Sequence, residues 1–298
     1  MTHSDLTGWI TSLIRDFCDG PENSLQKGTD ERAWDTPFVG FANGADPMFA
    51  QLKMAVGDFH WTPGEIFAQT FPDLAFAPEE LTVIVYILPQ TEATRCDQRA
   101  QTVYPAERWA RTRFYGEYFN RALRDHVAAV LNEAGYPAVA PSSAPHFRIH
   151  DSERYTFAST WSERHAAHAA GLGTFGLSDG LITLVGKAHR LGSIVARISI
   201  PATPRPYTDH HAYCPWYTHN ACGLCIARCP VGALSAAGHD KIKCRDHLDD
   251  TRPHILENYG FAGYACGLCQ VGVPCESGIP DVNLLLEREL PTRVTRER

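Results

Sequence analysis

Ten cysteines occur in the 298 residues, and eight of them fall in one block: Cys214, Cys222, Cys225, Cys229, Cys244, Cys266, Cys269 and Cys275. No other feature constrains the fold as tightly, because eight thiols this close in sequence must be paired off or bound. The tetrapeptide Cys-Gly-Leu-Cys appears at 222–225 and again at 266–269, a weak internal repeat. The first copy runs on into Cys229-Pro230, the second through Gln-Val-Gly-Val-Pro into Cys275. Disulfides would call for an oxidising compartment, yet Met1-Thr2-His3-Ser4-Asp5 opens the chain with no apolar signal segment. Two zinc sites of four cysteines each would also consume eight thiolates at this spacing.

Iron–sulfur chemistry accounts for more of the pattern. Two 4Fe-4S clusters need eight thiolates, and Cys-x2-Cys followed by Cys-Pro is the ligand run of ferredoxins. In that run the cysteine before proline serves the other cluster. The expected partition is therefore Cys222, Cys225, Cys275 and an upstream ligand for one cluster, and Cys229, Cys244, Cys266 and Cys269 for the second. A compact motif would place the upstream cysteine at position 219, where this chain has His219. Cys214 is the nearest thiol and completes the eight; His219 is the alternative, since imidazole can replace thiolate on iron. Cys18 and Cys96 lie far from the block and read as ordinary thiols.

Composition bounds the rest. Hydrophobic content of 44% and charged content of 20% are those of a globular protein. No run reaches the roughly 18 apolar residues that span a bilayer. The net charge of −7 speaks against a general nucleic-acid binder. Reduced thiols point to a cytoplasmic location.

Taken in order, 4–18 reads as a helix, with Leu6, Trp9, Ile10, Leu13, Ile14 and Phe17 at helical spacing. Two helical pieces follow within 46–71. Between them Asp58-x-His60 is similar to part of a cobalamin-binding Asp-x-His-x-x-Gly motif, but Pro63 stands where that glycine belongs. The plainer reading is a capping box, Thr62 to Glu65 with Pro63 at the first helical position, which leaves His60 a packing or surface residue. The β-branched run 81–88 predicts a strand buried on both faces. A long helix is expected over 107–134 with Gly135 as its stop, then a short strand at 138–140. This alternation of strand and helix implies an α/β domain.

Residues 162–170 read as a helix ended by Gly171-Leu172-Gly173-Thr174-Phe175-Gly176. The Gly-x-Gly-x-x-Gly spacing matches a dinucleotide fingerprint but follows a helix instead of a strand, which fails that motif's context. His165 and His168 share a helix face; a solvated pair is the plainer reading than a metal site. Segments 181–185 and 193–200 are expected to pair as a hairpin across the loop 186–192. Pro201, Pro204 and Pro206 mark a linker, 281–289 a short helix, and 291–298 a polar, mobile tail.

With both stretches in view, the chain resembles the epoxyqueuosine reductase-like iron–sulfur proteins, relatives of the reductive dehalogenases. The resemblance rests on Glu163-Arg164, on Ala170-Gly171-Leu172-Gly173-x-x-Gly176, on the strands that follow, and on Cys222–Cys275 with its lone Cys244. It covers roughly residues 80–280. It implies an α/β (α+β) architecture: a nitroreductase-like, cobalamin-binding domain over 1–200, then a ferredoxin-like domain over 201–298 with two 4Fe-4S clusters and the C-terminal tail. Gly171, Leu172, Gly173, Gly176 and Ser178 would line the corrin. The clusters would pass electrons to cobalt, supplied by a low-potential donor of flavodoxin or ferredoxin type, with the cofactor supplying the hard chemistry.

Three departures separate this chain from that pattern. The acidic residue of an Asp-Ser-Ala-Pro motif expected about six positions before Glu163 is replaced by the run Phe157-Ala158-Ser159-Thr160, while a Ser-Ala-Pro at 143–145 follows Ser142. A tRNA-holding helical-repeat region has no counterpart in the 298 residues. The fourth-ligand spacing and Cys269-x5-Cys275 are altered. The expected substrate is thus a small molecule or a protein-linked group in place of tRNA. Tyr104, just before the long helix, is the one candidate proton donor. The competing functions are a non-catalytic electron-transfer or cofactor-delivery protein, and a flavin-dependent reductase on the same frame.

Overall fold

The computed structural model describes residues 5–28 and 30–287. In chain order its elements are α1 (Leu6–Asp19), β1 (Phe38–Asn43), α2 (Pro47–Val56), α3 (Pro63–Thr70), β2 (Leu81–Pro89), α4 (Glu92–Arg99) and α5 (Glu107–Glu133). Then come β3 (Ala138–Val139), β4 (Ile149–Ser152), β5 (Thr156–Ser159), α6 (Glu163–Ala169), β6 (Gly173–Phe175), β7 (Leu181–Thr183) and β8 (His189–Arg197). The cysteine block supplies α7 (Pro215–His219), α8 (Leu224–Ala227), β9 (Leu234–Ser235), β10 (Gly238–His239), α9 (Lys241–Tyr259) and α10 (Val282–Glu287).

A four-stranded sheet in the order β1-β2-β8-β3 organises the first two hundred residues, and every pairing in it is antiparallel. All nine residues of β2 are buried, as its continuous apolar run demands. Period-two alternation sends Ile84, Tyr86 and Leu88 to one face with Ile194 of β8, against Ile10 and Ile14 of α1 and Leu123, Val127 and Leu131 of α5. Val83, Val85 and Ile87 go to the other face with Val195, against Phe49, Ile66, Phe67 and the alanines of α6. The result is a helix–sheet–helix sandwich of mixed α/β type. The expected capping box at Thr62 and Glu65 is present, with Pro63 at the helix start.

The expected hairpin between 181–185 and 193–200 does not form. β7 pairs with β6, and β8 is taken on both edges by β2 and β3. Two glycines that read as loop residues serve other ends. Gly192 lies inside β8, where a Cβ would stand 2.2 Å from the Tyr86 hydroxyl. Gly186, at φ +77°, lies against the Glu276 carbonyl, 2.1 Å from where its Cβ would be.

The segment around Pro201–Pro206 is not a free linker. Thr203 exchanges two hydrogen bonds with Phe41, one through its backbone N–H and one through its hydroxyl, each 2.9 Å, and so covers the outer edge of β1. Arg205 pairs with Asp46 and donates to the Ala169 carbonyl. The cysteine block shares its core with the preceding body: Ala106, Trp109 and Ala110 of the α5 region pack with Ile255, Phe261, Ala265 and Val271. Among the described residues, no helix is long and apolar enough to cross a membrane. The short helix expected over 281–289 is present as α10; the tail 291–298 lies outside the described residues.

Candidate iron–sulfur site

Both Cys-Gly-Leu-Cys copies adopt the same local form. The glycine takes a left-handed conformation, Gly223 at φ +95° and Gly267 at φ +72°, and a helical turn follows at once, 224–227 and 268–270. Each glycine also faces a tryptophan: Trp216 lies 3.1 Å from where a Gly223 Cβ would be, and Trp109 2.2 Å from that of Gly267. Cys222 is itself held at φ +76°. Cys214 caps α7, with Pro215 at its first position.

One cavity is lined by the four thiol-bearing residues Cys214, Cys222, Cys225 and Cys275 together with Lys187 and Trp216. Their electrostatic coupling follows this grouping in part. Cys275 feels Cys214 and Cys222, and Cys225 feels Cys275 and Cys222. The other four form a second group, in which Cys266 feels Cys269, Cys244 and Cys229. The groups are not electrostatically separate, since Cys225 feels Cys269 more strongly than it feels Cys222. His219 stands apart from the cavity lining, exposed at the end of α7, its Nδ1 2.7 Å from the Thr218 hydroxyl.

Burial pushes the thiols of Cys225 and Cys266 up to about 12 and that of Cys269 to about 11; Lys187 pulls the other way on Cys225 and Cys269. Left free, these sulfurs stay protonated at neutral pH. Only a metal that replaces the proton makes them thiolates, which couples metal uptake to proton release. Backbone donors await the charge: Ala233 N–H lies 3.2 Å from the Cys229 sulfur, and Leu268 N–H bonds that of Cys266. No three of the described His, Cys, Asp and Glu side chains converge closely enough to grip one metal ion.

Two cations border the groups. Lys187, only 3% exposed, donates to the Ser178 hydroxyl at 3.2 Å and bonds the Cys275 thiol. His239 bonds Asp179 at 2.9 Å and Cys244, contacts that raise its pKa to about 9. Neither Lys187 nor the Asp179–His239 pair was singled out by sequence reading, which saw 186–192 as a loop.

The glycine-loop residues fall in two places. A Cβ on Gly171 would lie 2.5 Å from the Pro204 carbonyl, and one on Gly173 2.4 Å from the Ile182 carbonyl. Leu172 covers Gly40 of β1, and the Tyr207 hydroxyl bridges the Gly173 N–H and the His168 carbonyl. Gly176 lines the cysteine cavity, and Ser178 meets Lys187 beside it. Tyr104, 39% exposed, stacks on His254 of α9 at 4.1 Å and lines neither that cavity nor the shallow one at Asp35, Phe38, Arg95 and Val185.

The histidines of α6 are not solvated. His168 bonds the Gly173 carbonyl at 2.8 Å, and His165 packs edge-on to His60 with its Nδ1 shut away from solvent. Glu163 is half-buried and accepts from Ser142 at 2.6 Å and from Ser193; desolvation raises its carboxyl, with Arg124 opposing. The β4–β5 hairpin separates Ser142-Ser143-Ala144-Pro145 from Glu163 in sequence, yet the two meet in space.

No protein-family model matches this chain, and no curated protein matches it. Solved structures do. The epoxyqueuosine reductase of Bacillus subtilis is 17% identical, with 85% of this chain and 66% of that one covered, at a TM-score of 0.42. An epoxyqueuosine reductase bound to a tRNA-Tyr stem loop is 15% identical over 94% of this chain and 70% of that one, at 0.51. A catabolic reductive dehalogenase in complex with 3-bromo-4-hydroxybenzoic acid is 15% identical over 91% and 37%, at 0.49. The chain spans about two thirds of the length of these epoxyqueuosine reductases. At such identities the likeness is one of fold: a mixed α/β body shared with epoxyqueuosine reductase, carried by the match at 0.51.

Proposed function

We propose that this chain is an iron–sulfur oxidoreductase that holds two 4Fe-4S clusters and passes electrons through them to an acceptor on its α/β body. The observation that carries this reading is the cavity walled by Cys214, Cys222, Cys225 and Cys275. A four-iron cluster bonds each thiolate to a different iron, so its ligands surround a volume instead of meeting at a point. Cys229, Cys244, Cys266 and Cys269 would hold the second cluster, and electrons would pass between the two. Residues 1–200 and 201–298 are then the acceptor-binding and cluster-binding parts. A reducing cytoplasm and a low-potential donor of flavodoxin or ferredoxin type suit such a chain.

Chain packing accounts for Gly171 and Gly173 without the corrin implied by the resemblance, while Gly176 borders the cysteine cavity. The Pro204 and Ile182 carbonyls stand where side chains on Gly171 and Gly173 would be, and the Tyr207 hydroxyl binds the Gly173 N–H. The shared fold with epoxyqueuosine reductase favours a reductase over a plain electron carrier. The acidic net charge favours a small-molecule or protein-linked substrate over tRNA.

The test is anaerobic purification followed by iron, sulfide, zinc, cobalt and flavin analysis, with visible spectra before and after adding cobalamin. About eight irons per chain are expected. Retained cobalamin or flavin would identify the acceptor, and clusters with neither would make the chain an electron carrier. Zinc in place of iron in protein kept from oxygen would overturn the proposal.

A further inference from the structure

We infer that Lys187 is the fixed charge that sets the potential of the first cluster and links it to that of the second. The inference rests on the two-cluster reading and adds a role for a residue outside the ligand set. Lys187 lines the cavity of the first four cysteines and acts electrostatically on Cys275, Cys225 and Cys269, and so reaches both groups. Its side chain is buried, its hydrogen-bond partners are the Ser178 hydroxyl and the Cys275 thiol, and no described carboxylate forms an ion pair with it. The acid nearest in sequence to Cys275, Glu276, is engaged by Arg95 and Arg99 and by the Gly272 N–H. An uncompensated buried ammonium is costly. A cluster with four thiolates supplies the missing negative charge, and more of it when reduced.

The backbone keeps the ammonium in place. Lys187 N–H donates to the Cys275 carbonyl at 2.8 Å and Ala188 N–H to the Glu276 carbonyl at 3.2 Å. Gly186 makes that approach possible, because any side chain there would strike Glu276. The lysine backbone is thus tied to a cluster ligand, and burial with the Ser178 hydrogen bond holds the ammonium on the same side. A cation held beside a centre that gains an electron stabilises the reduced form and raises the potential.

The experiment compares wild type with Lys187→Met, Lys187→Gln and Lys187→Arg, each purified anaerobically, checked for iron and titrated redox-potentiometrically with electron paramagnetic resonance detection. Removal of the charge in the Met and Gln variants is expected to move the first cluster's midpoint to a more negative value. A smaller shift in the same direction is expected at the second, and Lys187→Arg should stay near wild type. Fully loaded Met and Gln variants with wild-type midpoints would overturn the inference. Loss of clusters from all three variants, Arg included, would also overturn it, by showing a packing role in place of a charge. Absence of clusters from the wild-type protein would instead bring down the proposed function and this inference with it.

Discussion

At the scale of single residues, the sharpest question is which side chain completes the first group. Cys214 and His219 lie five positions apart at the two ends of α7, and spacing alone leaves both open. The fold separates them: Cys214 is buried in the cavity wall while His219 points its ring at Thr218 on the exposed end of the helix. Cys214→Ser should therefore cost about half of the roughly eight irons, one cluster's worth. His219→Ala should keep them all. Iron and sulfide analysis of the two anaerobically prepared variants decides it, and the reverse pattern would make the histidine the ligand. Lys187 escaped sequence reading for a physical reason. A lone lysine between glycine and alanine looks like a loop charge until thiols 27 to 88 residues later are brought alongside.

At the scale of elements, most of what local sequence can encode was legible. β2, α5, the Thr62–Glu65 cap and the helix of His165 all lie where periodicity and capping residues put them. Long-range choices were not legible. Nothing local tells β8 to pair with β2 and β3 instead of β7, and nothing in the apolar-poor α9, with Pro253 inside it, advertises a helix of 19 residues. Tertiary contact overrides propensity there. The Cys-Gly-Leu-Cys repeat lies between these cases, because its glycines are required both locally and by packing. Gly260→Ala, at φ +75° in open space, should cost only the left-handed penalty of about 1–2 kcal/mol. Gly267→Ala meets the same penalty and also drives a methyl into the Trp109 ring, adding about 1–3 kcal/mol. Chemical denaturation of both variants should show Gly267→Ala the more damaging, and equal losses would mean that Trp109 moves aside at no cost.

Across the whole molecule, the α/β body buries an unusual set of neutral histidines, and this gives its stability a direction in pH. Burial lowers the pKa of His165 to about 3, with His60 adding to the effect, and that of His189 to about 4 against the Leu181 carbonyl's pull. His60 and His168 are lowered in the same way, each opposed by one backbone carbonyl. Once unfolded, each takes up its proton near pH 6.5. Below that pH the unfolded chain binds more protons than the folded one, so stability is complete above pH 6.5 and is lost as pH falls toward 4. Each histidine contributes a slope of about 1.4 kcal/mol per pH unit where only the unfolded form is protonated. Glu163, its carboxyl raised by burial, works the other way above pH 4.5, but as one group against four. His239, raised to about 9, adds stability below pH 6.5 that declines as pH rises to 9, so the maximum falls near neutrality. Anaerobic denaturation midpoints should change little or rise slightly from pH 7.5 to 6.5 and then drop steadily down to pH 5, and His165→Phe should flatten that fall by about one histidine's slope. A midpoint that held level to pH 5, or a His165→Phe variant as acid-sensitive as wild type, would show that these rings accept protons within the folded body.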